Sequence, residues 1–175
     1  MKPLLILFIF ILAASCKDKK RQVQPVNKST DTTEGKIIPF VTAYNFGTFK
    51  ILVFTGREAR PDFSGDTLSK DTNYVKFISK GCRNNKINFG GHYTIIQKSC
   101  GALCESIFIV DRISGKIYAD VTPADGRYGY LYKADSRLLI ANSNTFQDDS
   151  LKYYNNFFGE PELYVWETDH FRPLK

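Results

Sequence analysis

The chain has 175 residues and a formal net charge of +6, from 24 basic and 18 acidic side chains. Seven of the basic residues and three of the acidic ones lie before position 37, so residues 37–175 hold 17 basic against 15 acidic side chains, a net charge of only +2. Nucleic-acid binding requires a clustered basic face. The near balance of charge in this larger part argues against nucleic acid as a partner.

The first residues predict export. Lys2 precedes an apolar run of 11 residues at 4–14. This run is shorter than the roughly 20 apolar residues that a membrane-spanning helix needs, and it matches the core of a secretory signal peptide. Small residues at 13–15 then precede Cys16.

This junction resembles the lipobox of bacterial lipoproteins, although Ala13 stands where that box usually has leucine and Leu12 lies one position further out. The resemblance implies cleavage after residue 15 and acylation of Cys16. The protein would then be anchored by lipid in a membrane of the bacterial cell envelope, with the outer membrane as the expected site. The alternative is an ordinary secretory signal followed by a chance cysteine.

Residues 16–36 predict a flexible tether. They are polar, contain Pro25 and a Ser-Thr-Asp-Thr-Thr stretch, and lack the apolar side chains that would offset the entropy lost on ordering. The remaining residues 37–175 have the usual size of a single domain with its own core.

Residues 37–175 predict a mainly β domain, with an α+β arrangement as the alternative. Short runs rich in Ile, Val, Phe, Tyr and Leu alternate with Gly, Asn, Asp and Pro, which is typical of an antiparallel, hairpin-connected sheet. The predicted strands are residues 48–55, 91–97, 106–111, 116–121, 129–133, 137–141 and 162–167. Ser114-Gly115 marks the clearest turn, because glycine adopts positive φ without strain.

Two strands are predicted to be central. Residues 107–110 and 138–141 are apolar at every position, so both faces of each strand should be covered. One short helix near residues 71–80 can supply a cover. Its apolar side chains fall at helical spacing, and Gly81 is placed to end it.

The densest motif is Asn-Phe-Gly-Gly-His-Tyr at 88–93, followed by Cys100, Cys104 and a hydrophobic strand that ends in Asp111. This block resembles one found in uncharacterised secreted bacterial proteins. The resemblance covers about residues 88–118 and implies architecture but no activity.

The cysteines after the motif predict a disulfide. Cys100 and Cys104 flank three residues between two predicted strands, so a hairpin would bring their Cα atoms within bridging distance, and export favours oxidation. A metal site using His92 and this pair is the alternative, although Cys-x3-Cys without a second pair is a poor zinc signature. Cys82 is then the odd thiol, and we expect it to be buried as a small apolar side chain.

His92 is the one candidate catalytic residue. As a general base it would need a nucleophile such as Cys104, Ser99 or Ser106 and an orienting acid such as Asp111 or Asp120. None of the familiar catalytic motifs accompanies it. The alternative is structural: Gly90 and Gly91 bend the backbone into the strand while the imidazole hydrogen-bonds a nearby carbonyl or carboxylate.

Two further groups admit a binding role and a structural one. Asp62 and Asp66 around Gly65, and the acidic turn at 148–150, invite a calcium site, but neither has the spacing of a calcium loop. Several aromatic residues could line a sugar- or peptide-binding face or could be core: Tyr128, Tyr130, Tyr132, Tyr153, Tyr154, Phe157, Phe158 and Trp166.

Two functions follow as hypotheses. The first is a non-enzymatic module, held to the membrane by lipid on Cys16, that binds an envelope protein or glycan. The second is an envelope hydrolase or redox enzyme centred on His92 and the region of Cys100 and Cys104. No motif predicts a cofactor or a metal ion.

Overall fold

A computed structural model describes residues 36–102, 104–119, 121–123, 128–147, 151–155 and 159–175. All of them belong to one compact unit. The predictions for the signal peptide, Cys16, the tether up to residue 35, Asp120, the acidic turn at 148–150, Phe157 and Phe158 lie outside the described residues. No helix among the described residues is long and apolar enough to cross a bilayer.

The described elements are mostly strands. In chain order they are β1 (Lys36–Pro39), α1 (Thr72–Asn85), β2 (Tyr93–Gly101), β3 (Cys104–Asp111), β4 (Ile117–Tyr118), β5 (Tyr130–Tyr132), β6 (Leu138–Ala141), β7 (Lys152–Asn155), β8 (Glu162–Glu167) and β9 (His170–Pro173). A single 3-10 turn covers Ser143–Thr145. The mainly β prediction is confirmed.

The strands form three antiparallel sheets. β2, β3 and β4 make one sheet in that order, β5, β6, β8 and β9 make a second, and β1 pairs with β7 in a two-stranded ribbon. The first two sheets consist largely of strands that are neighbours in sequence, as predicted for hairpin connections. The ribbon instead pairs the first described strand with a strand far along the chain.

The sheet formed by β2, β3 and β4 has a different hydrophobic core on each face, because side chains of successive strand residues point to opposite sides. On one face Ile95, Ile107 and Ile109 pack with Leu139 and Trp166 of the second sheet. On the other face, side chains of β2 and β3 meet the helix, in a cluster formed by Tyr74, Ile78, Cys82, Ile96, Phe108 and Val110. The layers are therefore helix, sheet and sheet, and the predicted double burial of 107–110 is confirmed.

Helix α1 begins where the sequence predicts but ends later. The carboxylate of Asp71 caps it by accepting hydrogen bonds from the backbone N–H of Asn73 at 2.8 Å and of Tyr74 at 3.3 Å. The predicted end at Gly81 is wrong, because the helix runs on to Asn85. A Cβ at Gly81 would lie 2.6 Å from Cγ2 of Ile96, so glycine permits close helix–sheet packing here and does not end the helix.

The strand predicted at 48–55 is also wrong. Among the described residues this segment forms only an isolated bridge, between Lys50 and Ser136. Its backbone groups bond to separate loops: the N–H of Ile51 donates to Asp135 and that of Phe54 donates to Gly91. Apolar composition made the segment resemble a strand, but it crosses several loops and has no single partner strand.

The strand boundaries shift where glycine or a loop intervenes. β2 begins at Tyr93 and not at residue 91, because Gly90 and Gly91 adopt φ values of 53° and 84° and form a turn. β4 has only two residues. Past its end, the backbone N–H of Ile107 in β3 donates to the side-chain hydroxyl of Thr122 and not to a backbone carbonyl. Lys36, predicted to end the tether, lies in β1.

Candidate functional site

His92 lies in the turn that leads into β2. Its backbone carbonyl accepts a hydrogen bond from the N–H of Arg112 at 2.7 Å, and its ring packs on Tyr93 with the two ring centroids 4.1 Å apart. The Nε2 atom is 3.9 Å from Oδ1 of Asp111, too far for the predicted side-chain hydrogen bond. The imidazole is held by ring packing, while the backbone makes the hydrogen bond.

Asp111, the acid nearest to His92, belongs to the turn between β3 and β4. Its carboxylate accepts hydrogen bonds from the backbone N–H of Ile113 at 2.7 Å and from the hydroxyl of Ser114 at 2.8 Å. These bonds fix the turn that Ser114-Gly115 predicted from sequence. The carboxylate is thus oriented toward the turn backbone and not toward the imidazole.

Cys100 and Cys104 lie at the tip of the β2–β3 hairpin. Their sulfur atoms are at disulfide-bonding distance and their Cα atoms are 5.0 Å apart, as the sequence predicts. Cys82 is the free thiol on α1 and is 2% exposed, in agreement with its predicted burial. The burial raises the pKa of this thiol.

The structure does not bring His92 and the paired cysteines together. They lie at opposite ends of β2, and eight residues of extended chain span about 26 Å. This separation also rules out the alternative of a metal site built from His92 and the cysteine pair. Within the described part of the chain, no group of three or more His, Cys, Asp or Glu side chains is arranged to hold a metal ion.

Asp62 and Asp66, the first candidate calcium pair, make local structural contacts. Asp62 accepts a hydrogen bond from the backbone N–H of Ser64 at 2.9 Å, and such contacts lower its pKa. Asp66 accepts hydrogen bonds from the hydroxyl of Tyr74 at 2.5 Å and from the backbone N–H of Leu68 at 2.8 Å. These bonds order the chain before α1.

Most of the described aromatic candidates belong to the core. Tyr130, Tyr153 and Trp166 are buried, and the indole of Trp166 packs edge-on against Tyr93 and Tyr118 with ring centroids 5.6 and 5.4 Å apart. Tyr154 is exposed. The buried rings therefore contribute to the core and not to a sugar- or peptide-binding face.

One candidate binding surface is the free edge of β2. β2 is an outer strand of its sheet. Asn88 covers part of the edge, because its side chain accepts from the N–H of Ile95 at 2.7 Å and donates to the carbonyl of the same residue at 3.0 Å. Backbone groups two residues apart on a strand point the same way, so those of Gln97 and Ser99 also point outward. No strand among the described residues pairs with them.

A groove of about 430 Å³ runs between this edge and α1. It is lined by Phe77, Lys80, Gly81, Asn84 and Asn85 of the helix, Ile95, Ile96 and Gln97 of β2, and Tyr132 of β5. The helix residues recur at spacings of three and four, so they share one flank of α1. The amide of Gln97 donates to the Tyr132 hydroxyl at 3.0 Å and fixes the floor of the groove.

The charge beside the groove is positive. Lys80 of α1 lines the groove and Lys98 of β2 lies next to Gln97, whereas neither α1 nor β2 contains an acidic residue. The ammonium of Lys98 lies 5.8 Å from the centre of the Phe77 ring, at the rim. The nearby acid, Glu105 of β3, has one carboxylate oxygen buried away from solvent.

The fold and these surfaces can be compared with known proteins. No family model, curated protein or solved structure matches the chain. The function has to be argued from the residues themselves.

Arg112 is a buried residue whose role sequence reasoning missed. Its Nε donates to the carbonyl of Ala59 at 3.1 Å, Nη1 donates to the carbonyl of Cys82 at 3.0 Å and to the hydroxyl of Thr94 at 3.2 Å, and Nη2 pairs with the carboxylate of Glu58 at 2.8 Å. One guanidinium thus joins the segment before α1, the helix and β2. In the sequence Arg112 stands in a polar turn, where arginine is usually exposed, so no signal indicated it.

Proposed function

We propose that this chain is a lipid-anchored protein of the bacterial cell envelope whose β domain binds an extended, acidic segment of a partner protein along the free edge of β2. The observation that supports the proposal is the pair of outward backbone positions at Gln97 and Ser99 beside a cationic groove. An edge strand with unpaired N–H and C=O groups is a template for another strand.

The edge supplies hydrogen bonds, and the groove supplies selectivity. A bound segment would pair its backbone with Gln97 and Ser99, and alternate side chains of that segment would point toward the helix. There they would meet the apolar surface of Phe77 and Gly81 and the ammonium of Lys80. A carboxylate is the complementary group for this ammonium, which is the reason to propose an acidic segment.

The extent of the docking site is set by residues on either side of it. The side chain of Asn88 already bonds to the backbone N–H and C=O of Ile95, and so it ends the open edge on one side. On the other side, the paired Cys100 and Cys104 close the hairpin tip. A short hairpin cross-linked at its end keeps its edge in one conformation, which lowers the entropy lost on binding.

The lipid anchor on Cys16 belongs to the same proposal. Residues 17–35 would link the anchor to the domain, and a flexible segment of about 20 residues spans roughly 25 Å on average. The domain would then search for partners close to the bilayer. This range suits a partner in the same membrane or in the adjacent periplasm.

Site-specific photo-crosslinking in the native envelope tests the groove. A photoreactive phenylalanine derivative replaces Asn84 in the groove, and in a control protein it replaces Ile113, which is 54% exposed in the β3–β4 turn. We expect a crosslinked partner peptide from the Asn84 position, and mass spectrometry should show that it carries net negative charge. Equal products from both positions, or a basic crosslinked peptide, would refute the proposal.

A pair of charge reversals gives a second test. Lys80→Glu should lower the crosslinking yield at position 84, because it replaces an attraction by a repulsion of similar size, together about 0.5–2 kcal/mol for exposed charges. Lys76→Glu makes the same change on the same helix at a residue that does not line the groove. It should leave the yield nearly unchanged. A similar loss from both variants would indicate only general charge attraction.

A further inference from the structure

The opposite flank of α1 borders a second cavity, of about 520 Å³. It is lined by Arg60, Pro61, Ser79, Cys82, Arg83 and Arg112. Cavities of roughly 300–1,000 Å³ are typical of small-molecule sites, so this one has room for more than a single inorganic ion. None of the residues that line this cavity also lines the groove beside β2.

The walls of this cavity are held in place. Ser79, Cys82 and Arg83 are three and four residues apart on α1, so they face the cavity together. The facing segment is tied to the sheet, since the N–H of Ala59 donates to the carbonyl of Arg112 at 2.7 Å and the N–H of Asp62 donates to the carbonyl of Gly115 at 2.8 Å. The backbone on both sides of the cavity is therefore fixed in position.

The charge inside the cavity is positive. Three arginines line it, and the carboxylate paired with them is that of Glu58, which lies 2.8 Å from Nη2 of Arg112. Counting these four groups leaves a net charge of +2. The side chain of Arg112 is only 8% exposed, so water screens its charge less than it screens a surface charge.

The residues that line this space also carry hydrogen-bond donors. The contacts of Arg112 with Ala59, Cys82, Thr94 and Glu58 use four of the five N–H groups of a guanidinium. The fifth, on Nη2, has no partner among the residues that the structure describes. The hydroxyl of Ser79 and the guanidinium groups of Arg60 and Arg83 add further donors. Forked guanidinium donors match the oxygens of a phosphate group in pairs.

We propose that this cavity binds the phosphate group of a small phosphomonoester. Such a group carries nearly two negative charges at neutral pH, which balances the net charge of +2 left by the three arginines and Glu58. The cavity volume left over accommodates the organic part of the ligand. The thiol of Cys82 stays protonated in the folded protein, since burial raises its pKa, and it acts as a wall and not as a nucleophile.

Calorimetric titration of the purified full-length chain in detergent tests the site, with glycerol 3-phosphate as the probe. Buffers are matched in ionic strength with sodium chloride, and glycerol serves as the uncharged control. We expect saturable binding of glycerol 3-phosphate and none of glycerol. Arg83→Gln and Arg60→Gln each remove a charge-assisted hydrogen bond to the phosphate, so each should raise the Kd at least about tenfold.

Lys76→Gln removes one charge from the same helix outside the cavity and should leave the Kd within about twofold of the parent value. Arg60, Arg83 and Lys76 are all exposed, so these variants should fold. Absence of binding, or equal weakening by Lys76→Gln and Arg83→Gln, would overturn the proposal. Equal affinity for inorganic phosphate would also overturn it, by assigning the cavity to free phosphate. The outcome is independent of the groove beside β2.

Discussion

Gly81→Ala is expected to destabilise the protein, although alanine is the better helix former. In a helix interior, alanine is favoured over glycine by roughly 0.5–1 kcal/mol. The added Cβ would lie 2.6 Å from Cδ1 and Cγ2 of Ile96 and 2.8 Å from Cγ1, whereas carbon atoms pack at about 3.5–4.0 Å. Forcing extra volume into a packed core costs about 1–3 kcal/mol. The two effects leave a net loss of roughly 0–2.5 kcal/mol, centred on about 1 kcal/mol.

Urea unfolding followed by the fluorescence of Trp166, the single tryptophan of the chain, measures this loss. Ile96→Ala removes all three atoms that the new Cβ would meet, so Gly81→Ala in that background should be neutral or stabilising. Gly65→Ala is the control, because a Cβ there meets nothing within 4 Å. If Gly81→Ala alone stabilised the protein, the close packing of α1 on β2 would be refuted.

Three further predictions concern the cysteines and His92. Cys16→Ser should abolish incorporation of a fatty-acid analogue, and retained label would exclude the predicted anchor. Burial raises the pKa of the Cys82 thiol above its reference value of 9.0, so its contribution to stability should be complete below pH 9 and lost as the pH rises further. The urea midpoint of Cys82→Ala should therefore fall less between pH 8 and pH 10 than the midpoint of the parent protein. An equal fall in both proteins would contradict the burial of Cys82. His92→Gln should cost at most about 1 kcal/mol, because the imidazole makes a ring contact and no hydrogen bond with any described residue. A loss of activity on an envelope substrate at unchanged stability would instead make His92 catalytic.

Local patterns predicted the central strands well. Residues 107–110 and 138–141 are apolar throughout, and burial on two faces is the simplest reason for such runs. Both are fully buried in β3 and β6. The disulfide and the turn at Ser114-Gly115 were also local features, set by spacing within a few residues.

Structure that depends on distant partners was not predictable. β1 pairs with β7 across more than half of the chain, and neither strand has a marked apolar pattern of its own. Gly81 was interpreted as a helix end because glycine usually has that role. Its actual function depends on Ile96 of another element.

The candidate sites needed the three-dimensional structure for a related reason. The sequence directed attention to His92 and the cysteine pair, which lie at opposite ends of β2. The groove and the arginine-lined cavity depend instead on the two flanks of one helix and on which edge of the sheet is free. Only the positive charge of α1 could be read directly from sequence.

Hydrogen exchange at single residues shows whether a partner segment docks along the free edge of β2. The partner peptide identified by crosslinking at position 84 is synthesised and added to the protein, and amide exchange is followed by NMR. In the complex we expect slower exchange at the outward amides of Gln97 and Ser99, by at least about tenfold, because they gain backbone partners. The Ile96 amide points toward β3 and should not change. Unchanged exchange at Gln97 and Ser99 in a saturated complex would contradict docking along the edge of β2.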